Sequence, residues 1–333
     1  MAVINEYKSQ KMKKIRFGII STAKIGQSEI IPAMRQSQLC EVTAISSRSK
    51  SSAQKVADEL GIAKTYGSTE ELLADPDIDA VYNPLPNHLH VPVTIQAMEA
   101  GKHVLCEKPI SMDAQEAELL LEKSKECPTL RVMEAFVYRF HPQWQKVKDL
   151  VKEGEIGDLK TITSHFFYYN DDENNIRNFP EMGGGGLMDI GCYCISMSRF
   201  IFESEPKHLK AFMRFDPEFG VDRLTHGIME FEKGTSSFSC GTQQSNRQEA
   251  VIAGDKGHIV LPSPFNPGSG ADAEIHLFKQ KKKEIIEIAE SNQYSLMCDA
   301  FARSILDDTE VPTPLEDAVA NMMVIDAVRE TAS

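Results

Sequence analysis

The chain has 333 residues, 41% of them hydrophobic and 26% charged, with a formal net charge of -13. That length suggests about two globular domains, each able to bury a core. The acidic balance argues against nucleic acid or an anionic membrane as a partner, because either would favour a basic surface. Seven cysteines are scattered without a C-x-x-C pair. Cys192 and Cys194 lie close together but lack the partners of a zinc site, so the expectation is no metal and reduced thiols in a cytoplasmic protein. The first fourteen residues are polar and lysine-bearing, unlike a signal peptide. No segment has the apolar length needed to cross a bilayer.

The first half alternates strands and helices. Ile15 to Ile20 reads as a central strand and a helix follows from about Ile25 to Arg35. Between them, Ser21-Thr22-Ala23-Lys24-Ile25-Gly26 stands where a G-x-G-x-x-G turn would bring backbone amides to a pyrophosphate. Ser and Ala replace two glycines but remain small. A second strand, Val42 to Ile45, runs into Ser47 and Arg48. An acidic residue there would hold a ribose 2′-hydroxyl, whereas an arginine accommodates a 2′-phosphate, so NADP is expected over NAD. A helix from Ser51 to Leu60 stops at Gly61. A short strand at Lys64 to Tyr66 and a helix from Thr69 to Ala74 follow. The fourth strand, Asp79 to Asn83, enters Pro84-Leu85-Pro86-Asn87-His88-Leu89-His90, with Asn87 read as a helix cap. His90 reads equally as a site residue or a structural one.

The fifth strand, His103 to Cys106, ends in Glu107-Lys108-Pro109. Ligands of open α/β sheets sit outside the carboxyl ends of the strands, which puts Lys108 at a crevice. A helix from Asp113 to Lys125 and a strand from Leu130 to Glu134 complete a doubly wound parallel sheet. The texture then changes. After Tyr138 to Pro142 a helix runs to about Glu153. Strands are expected at Leu159 to Tyr168, Leu209 to Phe215, Leu224 to Glu232, Ser236 to Gln243, Glu249 to Ala253, Ala273 to Lys279 and Glu284 to Ile288. These make an α+β part with a large, mostly antiparallel open sheet. Pro262 to Gly270 reads as a loop. Helices from about Gln293 to Leu306 and Leu315 to Arg329 close the chain. The expected division is 13–136 for a Rossmann domain and 137–333 for a second domain, whose last helices pack back on the first.

One stretch of the second half stands out: Gly183 to Gly186, then Leu187-Met188-Asp189-Ile190-Gly191-Cys192-Tyr193. Asp189 and Tyr193 are four apart and share a helix face. The glycine run has no structural reason visible in the sequence and so favours a functional reading.

Ser21 to Gly26, Pro86 to His90, Glu107-Lys108-Pro109 and the glycine run with Asp189 and Tyr193 together resemble the Gfo/Idh/MocA family of oxidoreductases, over nearly the whole chain. The resemblance implies hydride transfer to or from a nicotinamide, with Lys108 as the active-site lysine. Tyr193 stands where most members have histidine. That is similar to the branch containing glucose-fructose oxidoreductase, D-xylose dehydrogenase and dimeric dihydrodiol dehydrogenase. Catalytic roles are therefore expected for Lys108, Tyr193 and Asp189, with the ammonium lowering the phenol's pKa. Cofactor contacts are expected from Ser21, Thr22, Ala23, Lys24, Ile25, Gly26, Ser47, Arg48, Pro84, Leu85, Asn87, His90, Glu107 and Lys108. Arg139 and His141 are expected on the substrate side with Asp189 and Tyr193. The leading expectation is an NADP-dependent dehydrogenase of a sugar or cyclic polyol. The alternatives are a trans-dihydrodiol dehydrogenase, a keto-sugar reductase, or a cofactor-binding regulator without catalysis. A homodimer through the second sheet is also implied.

Overall fold

The computed structural model describes residues 13–268, 272–280 and 282–332. The polar stretch before Lys13 and the end of the Pro262 to Gly270 loop, both noted above, lie outside them. Apolar runs punctuated by glycine and polar caps become alternating elements. In chain order these are β1 (Ile15–Ile19), α1 (Ile31–Gln36), β2 (Cys40–Ser46), α2 (Lys50–Leu60), β3 (Lys64–Tyr66) and α3 (Thr69–Leu73), then β4 (Ala80–Asn83), α4 (His90–Glu99), β5 (His103–Cys106), α5 (Ala114–Lys125) and β6 (Val132–Glu134). Local chemistry sets several ends. Gly61 closes α2 in a left-handed conformation. Ser68 and Asp113 cap α3 and α5 by accepting from the N–H three residues on.

The strands pair in parallel in the order β3-β2-β1-β4-β5-β6. The order reverses between β1 and β4, and ligands of doubly wound sheets bind at such a switch point. Phe17, Ile19, Tyr82 and Leu105 are wholly buried in this sheet, which packs on both faces.

The second half adds α6 (Pro142–Lys152), β7 (Leu159–Tyr169), α7 (Cys192–Phe202), β8 (His208–Phe215), β9 (Asp222–Phe231), β10 (Gly234–Gly241), β11 (Gln243–Gly254), β12 (Gly257–Leu261), β13 (Ala273–Lys279), β14 (Lys282–Ile288), α8 (Gln293–Leu306) and α9 (Leu315–Thr331). Its sheet runs β14-β13-β12-β11-β7-β10-β9-β8 and is antiparallel except where β10 lies parallel to β7. One face carries α6 and α7, while α8 packs against α1 and α9 against α5. Two differences from the sequence expectation stand out. β12 is an additional strand, a short run between the Asp255–Lys256 turn and Pro262. β11 starts at Gln243, before an irregularity in its pairing with β7 that ends at Arg247.

Candidate active site

The nucleotide turn is built without its first two glycines. Ser21 itself adopts a left-handed backbone, φ 69°, the conformation that usually calls for glycine. Its hydroxyl accepts from the Ala23 N–H at 3.2 Å, which holds the turn closed. Gly26 remains, and a Cβ there would lie 3.6 Å from Ile19 and 3.7 Å from Tyr82, so the helix sits close on the sheet. A first helical turn leaves N–H groups without intrahelical partners, a setting suited to a pyrophosphate. At the carboxyl end of β2, the Ser46 hydroxyl is buried without a partner, Ser47 is half-buried and Arg48 is exposed. These groups fit a dinucleotide carrying a 2′-phosphate.

The carboxyl end of β5 brings charged and phenolic side chains together. Glu107 bonds the Asn83 carbonyl of β4 through its N–H, and its Oε1 accepts from the Tyr82 hydroxyl at 2.6 Å. Lys108 follows, joined to Pro109 by a cis peptide. Its Nζ donates to the Asp189 carbonyl at 2.7 Å and to Asp189 Oδ1 at 3.3 Å, and lies 4.9 Å from the centre of the Tyr193 ring. The opposite oxygen, Asp189 Oδ2, accepts from the Tyr168 hydroxyl at 2.6 Å and pairs with Arg177 Nε at 2.8 Å. Burial would favour a neutral Asp189, but Arg177, Lys108 and the Tyr168 hydroxyl hold the carboxyl well below its ordinary range. For Lys108, burial opposes the charge and Asp189 restores it, leaving the ammonium above its usual value.

Tyr193 stands in an aromatic box. Its ring lies 5.4 to 5.8 Å from those of Phe136, Tyr138, Phe166 and Phe265. Burial pushes its phenol well above the ordinary value, and Tyr294, Glu107, Cys192 and Asp189 push the same way. The expected lowering by Lys108 is therefore corrected: burial and the surrounding groups outweigh the ammonium, so the phenol stays protonated at neutral pH.

The glycine run also has a structural reason after all. Gly183 and Gly185 have φ of 77° and 106°, and a Cβ on Gly185 would lie 2.2 Å from Asp222 Oδ1. Asp222 accepts from the Leu187 N–H at 2.8 Å and from the Thr225 hydroxyl at 2.6 Å, anchoring the start of the helix that presents Asp189. Asn87 is not a helix cap. Its amide donates to the Gly183 carbonyl at 2.8 Å and ties the loop after β4 to the glycine run.

Three expected site residues are structural instead. His90 is buried, with its ring nitrogens 2.7 Å from the Pro109 carbonyl and 2.6 Å from that of Leu85, so it shapes the loops and is not open to a cofactor. Arg139 is bonded to the Tyr138 and Ser196 hydroxyls and pairs with Asp317 at 2.6 Å, behind the aromatic box. His141 is buried and caps α6 by accepting from the Gln143 N–H at 3.2 Å. The Arg139 charge and the His141 Nδ1 are thus engaged within the protein.

Three groups were missed. Tyr168 shares the inward parity of Ile162, Ser164 and Phe166 on β7, a signal that was present. Arg177 lies in an aperiodic loop and gave none. Tyr294 begins α8, where Asn292 Oδ1 accepts from its N–H, and it lines a cavity of about 310 Å³ with Glu29, Asn266, Pro267, Asn292 and Gln293. A larger cavity, about 1040 Å³, lies among Lys148, Lys152 and Phe202 and holds none of these side chains.

A parallel sheet of this order, with lysine, aspartate and tyrosine meeting at its carboxyl edge, defines a nicotinamide-dependent oxidoreductase. Residues 15–135 match the family described as oxidoreductase family, NAD-binding Rossmann fold, and residues 144–260 match the GFO/IDH/MocA C-terminal domain. The chain belongs to the Gfo/Idh/MocA family of oxidoreductases and is an enzyme with an NAD(P)-binding domain. It is 39% identical to an uncharacterised oxidoreductase of Rhizobium meliloti, over 96% of this chain and 98% of that one. It is 36% identical to D-xylose 1-dehydrogenase (NADP(+)) 2 of Haloferax volcanii, over 95% and 97%. The crystal structure of the 3-ketoreductase KijD10 from Actinomadura kijaniata, in complex with NADP and TDP-benzene, is similar with a TM-score of 0.91 and 29% identity, covering 96% of this chain and 98% of that one. Among the described residues no helix is long and apolar enough to cross a membrane.

Proposed function

We propose that this chain is an NADP(H)-dependent oxidoreductase acting at a hydroxyl-bearing or keto carbon of a sugar or related cyclic polyol, of the aldose dehydrogenase type. The observation that carries the reading is the meeting of Lys108, Asp189 and Tyr193 at the carboxyl end of β5. NADP, held by Ser21 to Gly26, Ser47, Arg48, Pro84, Leu85, Asn87 and Glu107, supplies the hydride acceptor or, when reduced, the donor. Lys108 hydrogen-bonds the reacting oxygen through its ammonium. Tyr193 exchanges the proton with that oxygen, and Asp189 fixes Lys108 in place. The aromatic box excludes water from the reacting carbon. In this scheme residues 13–136 hold the cofactor and 137–333 the substrate. Turnover followed at the nicotinamide absorbance band, with NADP or NAD and a panel of aldoses, inositols, keto-sugars and dihydrodiols, tests the reading. Reduction of NADP by an aldose supports it, and binding of both cofactors with no turnover in either direction favours the regulator.

The titration of the site gives the reaction a direction in pH. Lys108 and Tyr193 are both protonated at neutral pH, because one is held above its ordinary value and the other well above it. Reduction of a carbonyl needs a proton donor and has one ready. Oxidation needs a proton acceptor, whose fraction rises about tenfold per pH unit below its pKa. Oxidation should therefore accelerate steadily between neutral and alkaline pH, while reduction stays flat below about pH 8. Profiles of kcat/KM in both directions check this, and an oxidation optimum near neutrality would contradict it. Tyr193→Phe should lower kcat roughly a hundredfold in both directions.

Arg48 carries the cofactor preference. Losing one charge-assisted contact to a 2′-phosphate removes about 1.5–3 kcal/mol. Arg48→Ala should raise KM for NADP roughly tenfold or more and leave KM for NAD nearly unchanged. Equal changes for both would remove this assignment.

The second sheet leaves one face without helices. A row across it reads Lys210, Ile228, Ser237, Thr163, Val251, Val260, His276 and Ile285, small or apolar from Ile228 to Val260. Ile228 and Phe212 are 60% and 63% exposed. Apolar area of this kind marks an interface, and the proposed partner is a second copy of the chain. Light scattering should give a dimer mass at micromolar concentration, and Ile228→Glu should shift it to monomer. The proposed location is the cytoplasm, in keeping with seven cysteines that form no disulfide.

A further inference from the structure

Asp189 is reached by three donors from three separate segments. Lys108 comes from the end of β5, Tyr168 from the end of β7, and Arg177 from the loop before the glycine run. The two oxygens are divided. Oδ2 takes the Tyr168 hydroxyl at 2.6 Å and Arg177 Nε at 2.8 Å, while Oδ1 faces Lys108 Nζ at the longer 3.3 Å. The ammonium makes its short contact, 2.7 Å, to the backbone carbonyl of Asp189, which carries no net charge. Lys108 is thus held in position without being locked to the carboxylate.

We propose that Arg177 is a positioning residue for Lys108: by occupying Oδ2 of Asp189 it keeps the carboxylate from capturing the ammonium, which remains free to hydrogen-bond the reacting oxygen. This rests on the reading that Lys108 serves that oxygen. Lys108 is faced by Asp189 from the turn before α7, by the Cys192 thiol and Tyr193 ring from α7, by Arg177 from its loop, by Glu107 beside it, and by His90 behind Pro109. The charged side chains of this cluster are two cations, Lys108 and Arg177, against two carboxylates, Asp189 and Glu107. Removing the Arg177 guanidinium leaves the carboxylates one cation short. Lys108 then moves onto Oδ1 and holds its proton more tightly. The Arg177 side chain is 43% exposed, so replacing it leaves no cavity.

The test has a readout that needs no substrate. Acetic anhydride acylates only the neutral amine, so competitive labelling at about pH 9, read by mass spectrometry on the peptide holding Lys108, reports how tightly the proton is held. Arg177→Gln should slow that labelling roughly tenfold relative to the wild type, and Arg177→Lys should restore much of it. With a turned-over substrate, Arg177→Gln should lower kcat roughly tenfold with KM changed less than about twofold. On an Asp189→Asn background, where the carboxylate that Arg177 occupies is gone and only Glu107 remains, Arg177→Gln should change the labelling much less than it does in the wild type. Unchanged or faster labelling in Arg177→Gln overturns the proposal, as does a rise in KM with kcat unchanged, which would make Arg177 a substrate contact. If the wild type turns over nothing, the functional reading fails while the labelling result still decides the role of Arg177.

Discussion

Lys108→Ala will lower kcat by roughly three orders of magnitude while leaving NADP affinity within a few-fold. The ammonium is held against both Asp189 and the Tyr193 ring, and its side chain is 11% exposed, so bulk water is a poor replacement. Charge that develops on a reacting oxygen in a water-poor cleft loses most when its preorganised donor is removed. Folding should survive, because Asp189 keeps the Tyr168 and Arg177 contacts and is not left as an unpaired buried charge. The proposed cofactor contacts at Ser21 to Gly26, Ser47, Arg48, Pro84, Leu85 and Asn87 lie on other segments, which the substitution does not touch. Steady-state kinetics with NADP titration separates the two effects. A loss of less than about tenfold in kcat would remove Lys108 from the centre of the site.

Trp144→Ala will destabilise the protein by about 3–5 kcal/mol, the range for deleting a fully buried aromatic side chain. Trp144 is completely buried, its indole N–H donates to the Pro264 carbonyl at 2.8 Å, and its ring meets Tyr138 edge-on at 5.4 Å. The substitution leaves a cavity and removes the shorter of two donors to that carbonyl, Gln143 Nε2 remaining at 3.2 Å. It also loosens the segment that carries Phe265, one wall of the Tyr193 box, and Asn266, which lines the smaller cavity, although Gln143, Gln248 and Gln293 still hold it. Urea unfolding should show the lower midpoint, and KM for substrate should rise in parallel. A stability change under about 1 kcal/mol would show that the box relaxes around the missing ring.

Much of the nucleotide half was readable because its signals are local. Apolar runs of strand length sit between Gly61, Pro84 and Asp113, and each punctuating residue acts where it stands. The turn at Ser21 was recognised from small residues after a strand, although the left-handed backbone that a serine there must adopt became visible only in the fold. Lys108, Asp189 and Tyr193 were found from their motifs, and the fold brings all three together. Arg177 and Tyr294 were not found because what matters about them is tertiary: neither sits in a periodic pattern that leads to its partner. The same gap explains Arg139 and His141. Each has the right chemistry for a site, but partners within the protein, Asp317 and the Gln143 N–H, claim them first. The direction in which Tyr193 titrates was misjudged for a related reason. It depends on burial and the surrounding groups, which outweigh the Lys108 ammonium, and spacing along a helix does not show them.

The most direct test of the central claim follows the hydrogen itself. The panel substrate that turns over is labelled with deuterium at the carbon bearing the reacting hydroxyl, incubated with NADP and the protein, and the nicotinamide product is analysed by mass spectrometry. The account predicts deuterated NADPH from the wild type and almost none from Lys108→Ala. Unlabelled NADPH, or label lost to water, would contradict direct hydride transfer at this site.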